Sequence, residues 1–248
     1  MSELLPLFLN LTGRAVVLVG GGPVATAKLR QLLAAGARVR VIAPEITDEI
    51  LELVARGFPA SADGRDDPAA ARLAEAPEAR RRQPSDPGRV SIAQRPFVPA
   101  DLDGAWLVVA AATPEVNRHV AEVAETLRLF VNAVDDPANA TAFLSGVVRR
   151  DGVTLAISTR GAAPALTALL REGLEALLPR DLATWMWQAR SARVAWRREG
   201  VPMDARKPRL LQALNELYQE TAERAESAGK NPFGPRVPWL NGPEDSWL

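Results

Sequence analysis

An α/β fold built on a parallel sheet, with a small α+β region and a helical C-terminal domain behind it, is predicted by three features of this 248-residue sequence. A short apolar run with β-branched residues, AVVLV at 15–19, passes directly into Gly20-Gly21-Gly22. Strand-like and helix-like segments then alternate, the pattern of βαβ units whose strands are buried on both faces. Beyond Pro164 the apolar positions recur at helical spacing instead. The first part is therefore of Rossmann type.

The run 15–19 reads as a buried strand entering a tight turn. From 24 to 35, Val24, Ala27, Leu29, Leu32 and Leu33 suit a helix that Gly36 ends. Residues 39–43 form a second strand stopped by Pro44, with a right-handed crossover between the two. A helix at 46–56 follows. The stretch 61–89 holds four prolines, many alanines and Arg80-Arg81-Arg82, and reads as an inserted mobile loop with a short helix at 69–76.

Regularity returns with strands at 90–93, 106–111 and 129–134, and a helix at 116–127. Segments 142–148 and 153–158 read as two more strands, joined by the turn Arg149-Arg150-Asp151-Gly152. Strands in succession place a boundary near Glu115, giving a Rossmann domain at 1–114 and an α+β region at 115–163. In the helical domain, 164–226, Leu166, Leu169, Leu170, Leu174 and Leu177 mark one face of the first helix. Helices at 183–198 and 206–225 continue it, with Pro202 and Pro208 interrupting the region or beginning elements. The tail, 227–248, carries four prolines and reads as irregular, with Trp239 and Trp247 docking it to the body or to another subunit.

Composition narrows the chemistry. Lys plus Arg and Asp plus Glu both number 30, which argues against a general nucleic-acid partner. The absence of cysteine excludes disulfides, thiolate metal sites and Cys nucleophiles. With His119 as the one histidine, a His-rich metal cage is excluded too, and no metal ligands are assigned. No apolar stretch is long enough to span a membrane, and the first ten residues do not read as a signal peptide. The expected location is the cytoplasm. A Tyr-x-x-x-Lys pair, a Gly-x-Ser-x-Gly elbow and a Walker loop are all missing.

Gly20-x-Gly22-x-x-Ala25 lies between a strand and a helix, the context in which such a pattern binds a dinucleotide. Gly20 permits the turn, Gly22 lets the backbone approach a pyrophosphate, and Ala25 keeps the helix close to the sheet. The helix N-terminus offers free N–H groups and partial positive charge. No acidic residue stands at the usual place about 20 positions on. Glu45, beyond Pro44, could bond ribose hydroxyls, whereas Arg38 and Arg40 would favour a 2′-phosphate.

Two further segments carry a chemical signal. Asn132-Ala133-Val134-Asp135-Asp136-Pro137 lies at the end of a strand, where α/β sheets face their ligands. Adjacent carboxylates raise one another's pKa, so one could accept a proton near neutrality. On composition alone, an Asp-Asp-Pro turn is the commoner use of such a run. Ser158-Thr159-Arg160-Gly161-Ala162-Ala163-Pro164 leads a strand into a helix and serves either as a carboxylate cradle or as an ordinary capped helix start.

An ordered series joins these segments. Leu-Pro-Leu-Phe near the start is followed by Val-Gly-Gly-Gly-Pro-Val-Ala, Lys28 and Gly36-Ala37. Ala110-Ala111-Ala112-Thr113 with Asn117 comes next, then Asn132 to Pro137, then Ser158 to Pro164 running into Leu-Leu-Arg-Glu-Gly-Leu-Glu. The series resembles the precorrin-2 dehydrogenase/sirohydrochlorin ferrochelatase family, the module also found at the front of sirohaem synthase. It covers roughly residues 1–60 and 90–225. The insertion, Phe143 one position late, Gly146 in place of a common proline, and the tail depart from the family pattern.

The resemblance implies NAD-dependent oxidation of precorrin-2 to sirohydrochlorin in sirohaem biosynthesis, by an intertwined homodimer. Region 115–163 would dimerise and 164–226 would hold the tetrapyrrole. Asp135 takes the place of the family's catalytic carboxylate. Cofactor contacts fall on Pro23, Val24, Pro44 and Glu45, with Gly20, Gly21, Gly22, Ala25 and Thr113 around them. Substrate contacts fall on Asn132, Ser158, Thr159, Arg160 and Gly161, and the serine phosphorylated in some members corresponds to Thr159. Arg149, Arg150, Arg160 and Arg171 are candidates to pair with substrate carboxylates. His119 is read as structural or exposed. Two alternatives stand beside this reading: a bifunctional enzyme that also inserts Fe²⁺ into sirohydrochlorin, and a non-enzymatic NAD-sensing regulatory module.

Overall fold

The computed structural model of the chain describes residues 3–56, 89–144 and 146–227. Residues 61–88 of the predicted insertion and the predicted tail beyond 227 lie outside the described residues.

The first unit is a five-stranded parallel sheet. Its strands are β1 (Ala15–Val19), β2 (Arg38–Ile42), β3 (Val90–Ala93), β4 (Leu107–Ala110) and β5 (Phe130–Ala133), in the spatial order β3-β2-β1-β4-β5. Helices α1 (Pro23–Ala34), α2 (Asp48–Arg56) and α3 (Pro114–Thr126) accompany them. Alternation along β1 sends its side chains to opposite faces. Val16 and Leu18 join Leu29, Leu32 and Leu33 of α1 in one core cluster, while Val17 and Val19 join Val120 and Ala124 of α3 in the other. Both faces of the sheet are covered around β1 and β4, which is why these two strands read as continuous apolar runs, whereas β2 alternates exposed Arg38 and Arg40 with buried Val39 and Val41.

The boundary expected at residue 114 falls inside this unit. β5 pairs in parallel with β4, Leu107 opposite Phe130 and Ala110 opposite Ala133, so α3 and β5 extend the Rossmann sheet. The unit runs to residue 145 and takes in 158–164 as well. The strand expected at 142–148 is also displaced. Thr141 and Ala142 donate their N–H groups to the Val131 carbonyl, and Asn132 Nδ2 donates to the Ala142 carbonyl. This short crossing of β5 satisfies the chain locally, and extended pairing starts only at Gly146.

The second unit comprises 146–157 and 165 onward. β6 (Gly146–Arg150) and β7 (Val153–Ile157) form an antiparallel hairpin in which Arg150 faces Val153. Asp151 and Gly152 turn it with positive φ at both, as a two-residue hairpin loop requires. The helices are α4 (Pro164–Leu177), α5 (Leu182–Glu199) and α6 (Met203–Ser227). Pro208 lies inside α6, where it deprives only the Asp204 carbonyl of its N–H partner. Leu166, Leu169, Leu170 and Leu177 of α4 are exposed in the single chain.

Candidate functional site

The carboxyl ends of β1 and β4 lie side by side where the strand order reverses, the place where open α/β sheets bind ligands. Here Gly20 donates its N–H to the Ile42 carbonyl and adopts φ +128. A Cβ on Gly20 would stand 2.2 Å from the Ala111 oxygen, and one on Gly21 would stand 2.0 Å from the Glu45 oxygen. These two glycines let three loops meet: 20–22, 43–45 and 111–113. Glu45 thus has its backbone carbonyl against the glycine turn.

Gly22 differs from its neighbours. It caps α1 in extended backbone, φ −83 and ψ −174, and a Cβ there would meet nothing within 4 Å. No protein atom among the described residues occupies the space of the missing side chain. Pro23 has no N–H, and Thr26 makes the first intrahelical bond, to the Gly22 carbonyl. Val24 and Ala25 therefore carry the unsatisfied donors of the helix end. This cradle fits the pyrophosphate of a dinucleotide.

Two threonines unremarked in the sequence brace the cradle. Thr26 Oγ1 lies 3.0 Å from the Gly22 carbonyl oxygen and 3.1 Å from Thr47 Oγ1, while the Thr47 N–H donates to the Gly21 carbonyl. A hydroxyl shared between residues 21 positions apart has no signature in periodicity. On the far side Thr113 caps α3. The Glu115 carboxyl is held below its ordinary pKa first by its own backbone N–H and then by the Thr113 hydroxyl.

The Asp-Asp-Pro run follows β5. Asp135 has φ +57, a left-handed conformation that aspartate tolerates better than most residues. Asp136 is committed to the turn, its Oδ2 accepting from Asn139 Nδ2 at 2.7 Å. The exposed Asp135 carboxylate makes no hydrogen bond or close ion pair among the described residues. Burial lowers the Lys28 ammonium from its ordinary pKa, and the negative charge of Asp135 opposes that shift. Asn132 is 7% exposed, and its Oδ1 has no hydrogen-bond partner among the described residues.

The segment 158–161 is brought to the same loop, since a Cβ on Gly161 would lie 3.8 Å from Pro137. Arg160 and Gly161 both have positive φ, and Ser158 Oγ accepts the Arg160 N–H. Thr159 caps the following turn by accepting from Ala163. Of the other arginines, Arg150 donates to the Leu178 carbonyl, and Arg171 pairs with Glu172 and Glu175. His119 is exposed, its ring edge-on to Phe97 at 5.7 Å between centroids. Among the described residues, no three His, Asp or Glu side chains are grouped to hold a metal ion, and no helix is long and apolar enough to cross a membrane.

Comparison with known proteins bears on the family and the fold. Residues 7–146 match the family model described as "Putative NAD(P)-binding". The chain is 39% identical over 181 residues to siroheme synthase 3 of Aeromonas hydrophila and 40% identical over the same length to siroheme synthase 2 of Aeromonas salmonicida. These alignments cover 73% of this chain and 32% and 31% of the relatives. Siroheme synthase of Salmonella arizonae is 32% identical over 204 residues, covering 82% of this chain and 38% of that protein. The chain thus spans about a third of the length of the curated relatives it matches. A solved structure named SirC, precorrin-2 dehydrogenase, shares the fold with a TM-score of 0.55 and 22% identity, covering 84% of this chain and 88% of that one.

Proposed function

The chain belongs to the NAD(P)-binding family that matches its residues 7–146, and from that premise we propose that it oxidises precorrin-2 to sirohydrochlorin with NAD. The observation that carries the proposal is one unit holding both an open glycine cradle at Gly22 and, at Asp135, an exposed carboxylate with no hydrogen bond among the described residues. The siroheme synthase names of the relatives point to the same substrate class.

Gly20, Gly21, Gly22, Pro23, Val24 and Ala25 would hold the dinucleotide, with Pro44, Glu45 and Thr113 bordering it. When bound, the nicotinamide supplies the two-electron oxidant. Net oxidation removes two electrons and two hydrogens from the tetrapyrrole: one hydrogen leaves with the electron pair, and the other leaves as a proton. Asp135 accepts that proton, because its carboxylate is exposed and makes no hydrogen bond among the described residues, whereas Asp136 is tied to Asn139. Ser158, Thr159, Arg160 and Gly161 would hold the substrate's acidic side chains, with Asn132 near the end of β5 as a further candidate. Arg150 and Arg171 already have intramolecular partners, the Leu178 carbonyl and the carboxylates of Glu172 and Glu175.

Iron insertion fits the same group, since Asp135 could also accept the pyrrole protons that Fe²⁺ displaces; iron is then a substrate. Cytoplasmic location and homodimeric assembly belong to the same reading. The exposed leucine row on α4 supports a second copy of the chain as its cover.

Incubating the protein with precorrin-2 and NAD should yield sirohydrochlorin absorbance and NADH together. NAD binding without turnover would favour the sensing module and overturn the enzymatic reading.

A further inference from the structure

Asn117 lies on the first turn of α3 and is only 3% exposed. Its Oδ1 accepts the Ala112 N–H at 3.0 Å, and its Nδ2 lies 3.4 Å from the Val134 carbonyl oxygen. Each partner adjoins a different half of the site. Ala112 follows Ala111, whose oxygen sits beneath the Gly20 turn, and Val134 immediately precedes Asp135. Val134 is further anchored by its N–H, which donates to the Ala110 carbonyl. One buried amide therefore ties the nucleotide-side loop after β4 to the carboxylate-bearing loop after β5.

We infer that Asn117 is a positioning residue for the oxidation, setting the placement of Asp135 relative to the glycine turn. The inference rests on the reading that Asp135 accepts the proton. An amide suits the task chemically, because the two loops present a donor and an acceptor and the amide carries both complements on separate atoms of one planar group. Asparagine has the shorter reach that a first-turn residue beside both loops can use. Aspartate has the same shape and keeps the acceptor for Ala112, but it turns an oxygen toward the Val134 carbonyl.

The test is a double-mutant cycle with Asn117→Asp and Asp135→Asn, read as kcat with precorrin-2, KM, and NAD Kd by calorimetry. Asn117→Asp should leave NAD Kd unchanged and lower kcat by about 10- to 100-fold, the scale of a misplaced reacting group. In the Asp135→Asn background, Asn117→Asp should cause no further loss, because its effect passes through that carboxylate. Equal losses in both backgrounds, or an unchanged kcat in the folded single variant, would overturn the inference. Should Asn117→Asp fail to fold, Asn117→Ser takes its place. If neither folds, Asn117 is a core residue and the positioning role is refuted. Full activity in Asp135→Asn alone would instead sink the functional reading on which the inference stands.

Discussion

Replacing Gly22 with aspartate separates ligand binding from folding more cleanly than any other change at this site. The backbone of Gly22 is open to any L-residue, and a Cβ there meets nothing within 4 Å. Aspartate is also a better helix N-cap than glycine, so the fold should gain a few tenths of a kcal/mol. Thr26 and Thr47 continue to brace the turn through backbone and hydroxyl contacts that the new side chain does not touch. The cost falls on the dinucleotide. A carboxylate about 5 Å from one phosphate charge, at an effective dielectric of about 20, is repelled by roughly 3 kcal/mol. That corresponds to about a 10²-fold weaker Kd for NAD. Calorimetric titration with NAD and a thermal melt of the same sample supply both readings, and the neutral Gly22→Ser variant should fall between wild type and aspartate. A folded Gly22→Asp protein with wild-type NAD affinity would refute the site. A protein that no longer folds would refute the claim that the space at Gly22 is reserved for a ligand.

Asp135→Asn should preserve NAD binding and the thermal midpoint while slowing NADH production by about 10²–10⁴-fold, the usual scale for a lost general base; Asp136→Asn should be milder, and the reverse order would transfer the role. Gly20→Ala or Gly21→Ala should destabilise the fold by about 1–3 kcal/mol or more, because a backbone oxygen occupies the space each Cβ needs, and chemical denaturation measures the loss. Asp101, buried on the 3₁₀ turn Pro99–Leu102, is held below its ordinary pKa first by its hydrogen bonds from Arg95 and then, against the cost of burial, by the Val98 N–H. Its contribution is full above the unfolded carboxylate value of about 3.9 and is lost as pH falls through the lower folded value. Asp101→Asn should therefore lower the thermal midpoint at neutral pH and flatten its acid dependence, and an unchanged profile would show that the pair adds nothing.

The sequence by itself determined those features whose cause is local. β1 and β4 are runs of Val, Leu and Ala because both of their faces are covered, and such burial is written into consecutive residues. The glycine turn, the helix that follows it and the Asp151-Gly152 hairpin depend on backbone conformations that particular residue types impose. Where partners come from distant positions, only the tertiary structure decided. β5 joined the sheet beyond the expected boundary because its pairing with β4 depends on strand order, which periodicity does not encode. Residues 142–144, apolar enough to read as strand, were diverted by bonds from Thr141 and Ala142 to Val131 and from Asn132 to Ala142. Three adjacent glycines look alike in sequence, yet neighbouring oxygens of Ala111 and Glu45 make two of them a demand of the fold and leave the space at Gly22 open. The same distinction sorts Asp135 from Asp136 and makes Asn117 a link between two loops: a hydrogen bond is a fact about positions in space, and the chain's order records only the groups able to make one.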